Sequence, residues 1–144
     1  MKRRFILVAE DDADDRYLMK TALQETGITE DVEYVENGIE LLDLLENVQD
    51  ASGEANYPRL ILLDLNMPKM DGREVLKTMK SNEAYRKIPV IVFSTTKSQQ
   101  EVKRCYDLGA NTYIVKPVSF DTLVTTLKEI CIYWFNTATL IEAQ

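Results

Sequence analysis

Five short apolar runs alternate with five segments of helical period along the 144 residues, and no other feature narrows the fold as far. The runs occupy 5–9, 32–35, 60–64, 90–93 and 112–115. Such alternation is the signature of βαβ units built on a parallel sheet. A helix capped by Asp12 or Asp14 is expected to run to about Thr26, with Tyr17, Leu18, Ala22 and Leu23 inward and Gly27 as its stop. The next starts near Gly38 and carries Ile39, Leu41, Leu42, Leu44, Leu45 and Val48 as a broad apolar face. A third reaches about Ser81 with Val75, Leu76 and Met79 inward, a fourth covers 98–108 before Gly109, and a fifth starts at Ser119 or Phe120. The stretch 50–57 is polar and reads as a surface loop.

Strand composition orders the sheet. The runs at 5–9, 60–64 and 90–93 are almost wholly apolar, as strands covered on both faces must be. Val32-Glu33-Tyr34-Val35-Glu36 alternates and Thr112-Tyr113-Ile114-Val115 is mixed, which suits edges. Right-handed crossovers then favour a doubly wound α/β fold with strand order 2-1-3-4-5. One domain is expected over 1–130, with 131–144 as an extension of the last helix and a tail, and no output domain.

Composition removes several kinds of chemistry. The chain has no histidine, which excludes Ser-His-Asp and Cys-His catalysis, imidazole metal sites and a phosphohistidine of its own. Its 17 basic against 24 acidic residues give a net charge of −7, which argues against nucleic acid and anionic lipid as partners. Cys105 and Cys131 have neither metal-ligand nor framework spacing, so two thiols in a reducing compartment are expected. Met1-Lys2-Arg3-Arg4 precedes only five apolar residues, too few for a secretion signal, and no run approaches the ~20 residues of a membrane span. A cytoplasmic location is the expectation.

In an open parallel sheet, ligands bind beyond the carboxyl ends of the strands, where strand order reverses. Strand one ends in Glu10-Asp11, strand three in Asp64, strand four in Ser94-Thr95 and strand five in Lys116-Pro117. Three carboxylates meeting there would repel one another unless a cation or protons intervened. Mg²⁺, a hard ion that needs few carboxylates plus water, is the natural choice. Lys116 and Ser94 suit phosphoryl oxygens, and a central carboxylate can act as nucleophile to form an acyl phosphate. Taken singly these residues have plainer readings. Five acids in the six positions 10–15 could simply favour a helix N-terminus, and Asp64 or Lys116-Pro117 could open turns. Their shared placement is what points to a site.

With these residues in hand the sequence resembles a response-regulator receiver domain of two-component signalling, whose fold is flavodoxin-like. The carrying motifs are Val8-Ala9-Glu10-Asp11-Asp12, Leu62-Leu63-Asp64-Leu65-Asn66-Met67-Pro68-Lys69-Met70-Asp71-Gly72, Phe93-Ser94-Thr95 and Tyr113-Ile114-Val115-Lys116-Pro117. The resemblance implies that Asp64 accepts phosphate from the phosphohistidine of a sensor histidine kinase. It implies Mg²⁺ on Glu10, Asp11, Asp64 and the backbone carbonyl of Asn66. Ser94 would bond the phosphoryl group, Lys116 would pair with it, and Tyr113 would be the aromatic switch moving with Ser94. Asn66 and Thr96 would tune dephosphorylation, and a cis bond would precede Pro117. Ser94 stands where threonine is more common, and Leu65 where the chemotaxis regulator has tryptophan.

The segment Ile130-Cys131-Ile132-Tyr133-Trp134-Phe135 is apolar on every side, and Leu140-Ile141 follow. Either it folds back on its own domain or Tyr133, Trp134 and Phe135 form a homodimer interface. The dimer is the favoured expectation. The tail and the lone-receiver layout are similar to the small regulators that pair with phytochrome kinases. Two other functions compete with a non-enzymatic switch. An aspartyl-phosphate phosphohydrolase usually carries a second acid two residues after the nucleophile, where this chain has Asn66. A pseudo-receiver that takes no phosphate would not need the full set Glu10, Asp11, Asp64, Ser94 and Lys116.

Overall fold

Hydrophobic strands flanked by amphipathic helices assemble into three layers. The computed structural model describes residues 5–48 and 53–141. In chain order come β1 (Phe5–Ala9), α1 (Ala13–Glu25), β2 (Asp31–Val35), α2 (Gly38–Asn47), β3 (Leu60–Leu63) and α3 (Gly72–Lys80). β4 (Val90–Ser94), α4 (Gln99–Asp107), β5 (Thr112–Val115) and α5 (Phe120–Ile132) follow, and a π-helical turn, Tyr133–Thr137, prolongs α5. All strand pairs are parallel and the order is β2-β1-β3-β4-β5, as strand composition required. β1, β3 and β4 are buried at every residue, whereas β2 and β5 at the edges are only partly covered. The polar loop expected at 50–57 lies partly outside the described residues.

Strand alternation sends neighbouring residues to opposite faces. Leu7, Ala9, Ile61, Leu63, Val90 and Val92 pack with Leu41 and Leu45 of α2, Val75, Leu76 and Met79 of α3, and Cys105 of α4. On the other face Ile6, Val8, Leu60, Leu62, Ile91 and Phe93 pack with Met19, Ala22 and Leu23 of α1 and Leu127, Ile130 and Cys131 of α5. The two cysteines therefore lie on opposite sides of the sheet, both as free thiols.

Three expectations need correction. Tyr17 and Leu18 are exposed, and the inward residue of that turn of α1 is Met19. From Ala22 and Leu23 the i−4 and i−3 neighbours fall at 18–20, and packing against α5 selects Met19. Ile39 is also exposed, because only Leu41 and Leu45 of the broad α2 stripe point squarely at the sheet. No cis peptide bond occurs among the described residues, so Pro117 follows a trans bond; the two isomers of an X–Pro bond differ by only about 0.5–1 kcal/mol.

Candidate functional site

The parallel ladder runs one residue past the strands and sets the backbone of the site. Glu10 N–H donates to Val35 O at 3.0 Å, Asp64 N–H to Ala9 O at 3.0 Å, and Lys116 N–H to Ser94 O at 2.9 Å. Glu10, Asp64 and Lys116 thus start from rigid positions at one edge of the sheet. Carboxylate oxygens of Glu10, Asp11 and Asp64 all lie within 4.8 Å of one another. Glu10 and Asp64 are buried and Asp11 is exposed, so the cluster opens toward solvent on one side.

Lys116 Nζ is 2.5 Å from Glu10 Oε1, 3.6 Å from Asp64 Oδ2 and 3.7 Å from Asp15 Oδ2. Burial pushes the Glu10 carboxyl up to about 7, with the Lys116 hydrogen bond opposing the shift and Asp64 adding to it. Burial likewise raises Asp64, opposed by Lys116 and by backbone N–H groups of Asn66 and Leu65. Burial alone would lower Lys116, but its bond to Glu10 and the charges of Asp64 and Asp15 prevail and raise it. One ammonium among buried acids leaves negative charge uncompensated. A divalent cation on Glu10, Asp11 and Asp64 would relieve it and hold the acids ionised, so this donor set fits Mg²⁺ or Mn²⁺.

On the other side of Asp64, Ser94 is fully buried at the end of β4. Its Oγ accepts from Thr96 N–H at 3.2 Å, and the Thr96 carbonyl accepts the Tyr113 hydroxyl at 2.8 Å. Burial raises the Tyr113 phenol, and the neighbouring Ser94 hydroxyl partly offsets that shift. Ser94, Thr96 and Tyr113 form one hydrogen-bonded group. Met79 is buried, as its inward place on the third helix implied; Met67 is buried too, and Met70 packs at the edge of the core.

Several contributors were not singled out by sequence reasoning. Arg16 Nη1 donates to the carbonyls of Glu10 at 2.8 Å and Asp11 at 2.9 Å, and Nη2 pairs with Glu36 Oε1 at 2.9 Å. It thereby clamps the acidic loop to the end of β2. Its only signal in the sequence is a single cation just after a run of acids. Asp15, in the first turn of α1, also reaches Lys116. Asp12 does cap α1, accepting from Asp15 N–H at 2.9 Å. Gly72 is the other omission: a Cβ there would stand 2.5 Å from the carbonyl oxygen of Asp64 and 2.9 Å from Leu65 Cα. Asp71 caps α3 from Arg73 N and Glu74 N, so the first turn of α3 is seated on the backbone of Asp64.

Comparison with known proteins agrees with this geometry. The family model described as "Response regulator receiver domain" matches residues 6–128. A probable methanogenesis regulatory protein, FilR2 of Methanothrix harundinacea, is 39% identical over 131 residues, 91% of this chain and 83% of that protein. Response regulator Rcp1 of Synechocystis is 34% identical over 140 residues, 97% of this chain and 95% of its own. The solved Mn²⁺-bound form of Rcp1 superposes with a TM-score of 0.83 over 96% of this chain and 99% of that one. The phosphorylated cyanobacterial phytochrome response regulator RcpA is 37% identical, with a TM-score of 0.85 over 99% of this chain and 100% of that one.

Proposed function

Because the chain belongs to the family of response-regulator receiver domains, signalling modules that partner with sensor histidine kinases and bind Mg²⁺ or Mn²⁺ at an acidic pocket, we propose that Asp64 is its phosphoacceptor. The observation that carries this reading is Lys116 Nζ at 3.6 Å from Asp64 Oδ2, with the Glu10 and Asp11 carboxylates gathered beside it. Asp64 attacks the phosphorus of a kinase phosphohistidine. An O–P bond forms as the P–N bond breaks, and the electron pair leaves with the imidazole. Such a transfer depends on position and charge neutralisation more than on a general base, which suits a site without histidine.

Glu10, Asp11 and Asp64 would hold the divalent cation, with the Asn66 carbonyl as a further ligand. When bound, it neutralises the carboxylates and the incoming phosphoryl oxygens. Lys116 supplies a point charge to one phosphoryl oxygen and the Ser94 hydroxyl donates to another. Tyr113 then follows Ser94 through Thr96. Asn66 and Thr96, beside Asp64 and Ser94, set how readily water reaches the acyl phosphate.

We assign the donor to the phytochrome class of histidine kinases, on the likeness to RcpA. The output we propose is a changed protein interface, with a homodimer through the end of α5 and its tail. Trp134 and Phe135 are half-buried against the core cluster that holds Met19, Leu23, Ile130 and Cys131, so the segment does fold back in part on its own domain. Ile132, Tyr133 and Ile141 remain exposed, Tyr133 standing edge-on to Trp134 at 5.2 Å. These three residues offer the dimer its apolar contact. We keep the domain reading of 1–130 with an extension from 131; α5 itself continues to Ile132 before the π-helical turn Tyr133–Thr137.

Intact mass after incubation with acetyl phosphate and Mg²⁺ tests the site. Gain of one phosphoryl group by the wild type and not by Asp64→Asn is the expected result; uptake by the mutant would remove Asp64 from the role. Transfer from a phytochrome kinase tests the partner, and transfer only from unrelated histidine kinases would overturn that assignment.

A further inference from the structure

α4 is held differently from the other helices. Cys105 is its one fully buried residue, whereas α1, α3 and α5 each bury at least three. Apolar burial is what normally anchors a helix to a sheet, so polar contacts must largely position this one. Arg73 of α3 pairs with Glu101 in its first turn. Among the described residues, the side-chain hydrogen bond of α4 to the sheet goes to Tyr113. Tyr106 on α4 accepts the backbone N–H of Tyr113 at 3.0 Å, and the Thr96 carbonyl, in the segment leading into α4, accepts the Tyr113 hydroxyl at 2.8 Å.

β5 is an edge strand, and the Tyr106 hydroxyl occupies a donor of Tyr113 that would otherwise face solvent. Tyr113 is thus gripped twice, its backbone by Tyr106 near the C-terminal end of α4 and its phenol by Thr96 in the segment that leads into α4. A nine-residue helix is a rod of about 14 Å, so a shift that breaks one grip loads the second. We infer that Tyr106 is a positioning residue for the Ser94–Thr96–Tyr113 group: its grip on the Tyr113 amide holds α4 where Thr96 receives the Tyr113 hydroxyl, and so favours the arrangement that takes up a phosphoryl group. This inference rests on the phosphoacceptor reading of Asp64. Tyr106 touches no ligand of the proposed cation and is half exposed, so its hydroxyl can be removed without disturbing the core.

The test is binding of beryllofluoride, a phosphoryl analogue, in the presence of Mg²⁺, by wild type, Tyr106→Phe, Tyr113→Phe and the double variant. Tyr106→Phe is expected to weaken beryllofluoride binding about fivefold while affinity for Mg²⁺ alone stays unchanged, and to lower the melting temperature by no more than the few degrees that one net hydrogen bond represents. In the Tyr113→Phe background the same change is expected to cost less than about twofold, because the two grips act as a pair. Unchanged binding by Tyr106→Phe would overturn the inference. So would an equal loss in both backgrounds, which is the mark of general support for α4. Failure of the wild type to bind beryllofluoride would overturn the phosphoacceptor reading itself, and this inference with it.

Discussion

At Glu10 burial raises the carboxyl to about 7, the Lys116 hydrogen bond resists, and the nearby Asp64 charge adds to the rise. An unfolded glutamate titrates near its ordinary 4.5, so the folded chain holds this proton more tightly. The stability this supplies is complete below the unfolded value and is lost as pH climbs through about 7. A divalent cation held there would compete for the same oxygens and gain as the proton leaves. The rise in melting temperature caused by Mg²⁺ is therefore expected to be larger at about pH 8 than at about pH 6. Equal shifts at the two would show that the cation does not displace the Glu10 proton. Gly72 gives a second expectation at this scale. Its added methyl would meet the Asp64 carbonyl at 2.5 Å, so Gly72→Ala should lower stability by about 1–3 kcal/mol, as overpacking does. It should also slow phosphorylation by acetyl phosphate. A wild-type rate in a stable variant would show that α3 does not seat Asp64. Of the site residues, Glu10, Asp11, Asp64, Ser94 and Lys116 were legible because each ends a strand, a property of the local pattern. Arg16, Asp15 and Gly72 were not, because their roles depend on distances between elements that no local pattern encodes.

Among the elements, α1 separates composition from burial. Its sequence offers Tyr17, Leu18, Met19, Ala22 and Leu23 as apolar candidates, yet the first two face solvent. Leu23→Ala should cost about 2–5 kcal/mol in denaturant unfolding, as loss of a buried leucine does. Leu18→Ser should stay within about 0.5 kcal/mol of wild type, as exposed changes do. A large effect at Leu18 would place it in an interface. The ends of helices read more clearly than their faces. Asp12, Ser98 and Ser119 accept N–H groups of their first turns, and Gly27 and Gly109 take positive φ just beyond α1 and α4. Caps depend on one residue and its immediate neighbours, whereas a face is selected by whatever packs against it.

For the molecule as a whole, no helix among the described residues is long and apolar enough to cross a membrane, and Ile132 and Tyr133 at the end of α5 are exposed. If Ile132 and Tyr133 join two copies, replacing both with serine should halve the mass seen by sedimentation while melting stays near wild type, because neither is part of the core. An unchanged mass would refute a dimer through this segment. Alternation of apolar runs with helical periods, the all-apolar character of three strands and the mixed character of two determined the parallel sheet, its order and the edge where the acids gather. Those properties are local, and hydrophobic burial together with right-handed crossover turns them into one topology. Tertiary structure alone decided which face of α1 and α2 is inward, the trans bond before Pro117 and the fold-back of Trp134 and Phe135. It also decided the ring of contacts from Ser94 through Tyr113 to Tyr106. Each is a choice between local states of similar free energy, settled by packing between segments distant in the chain.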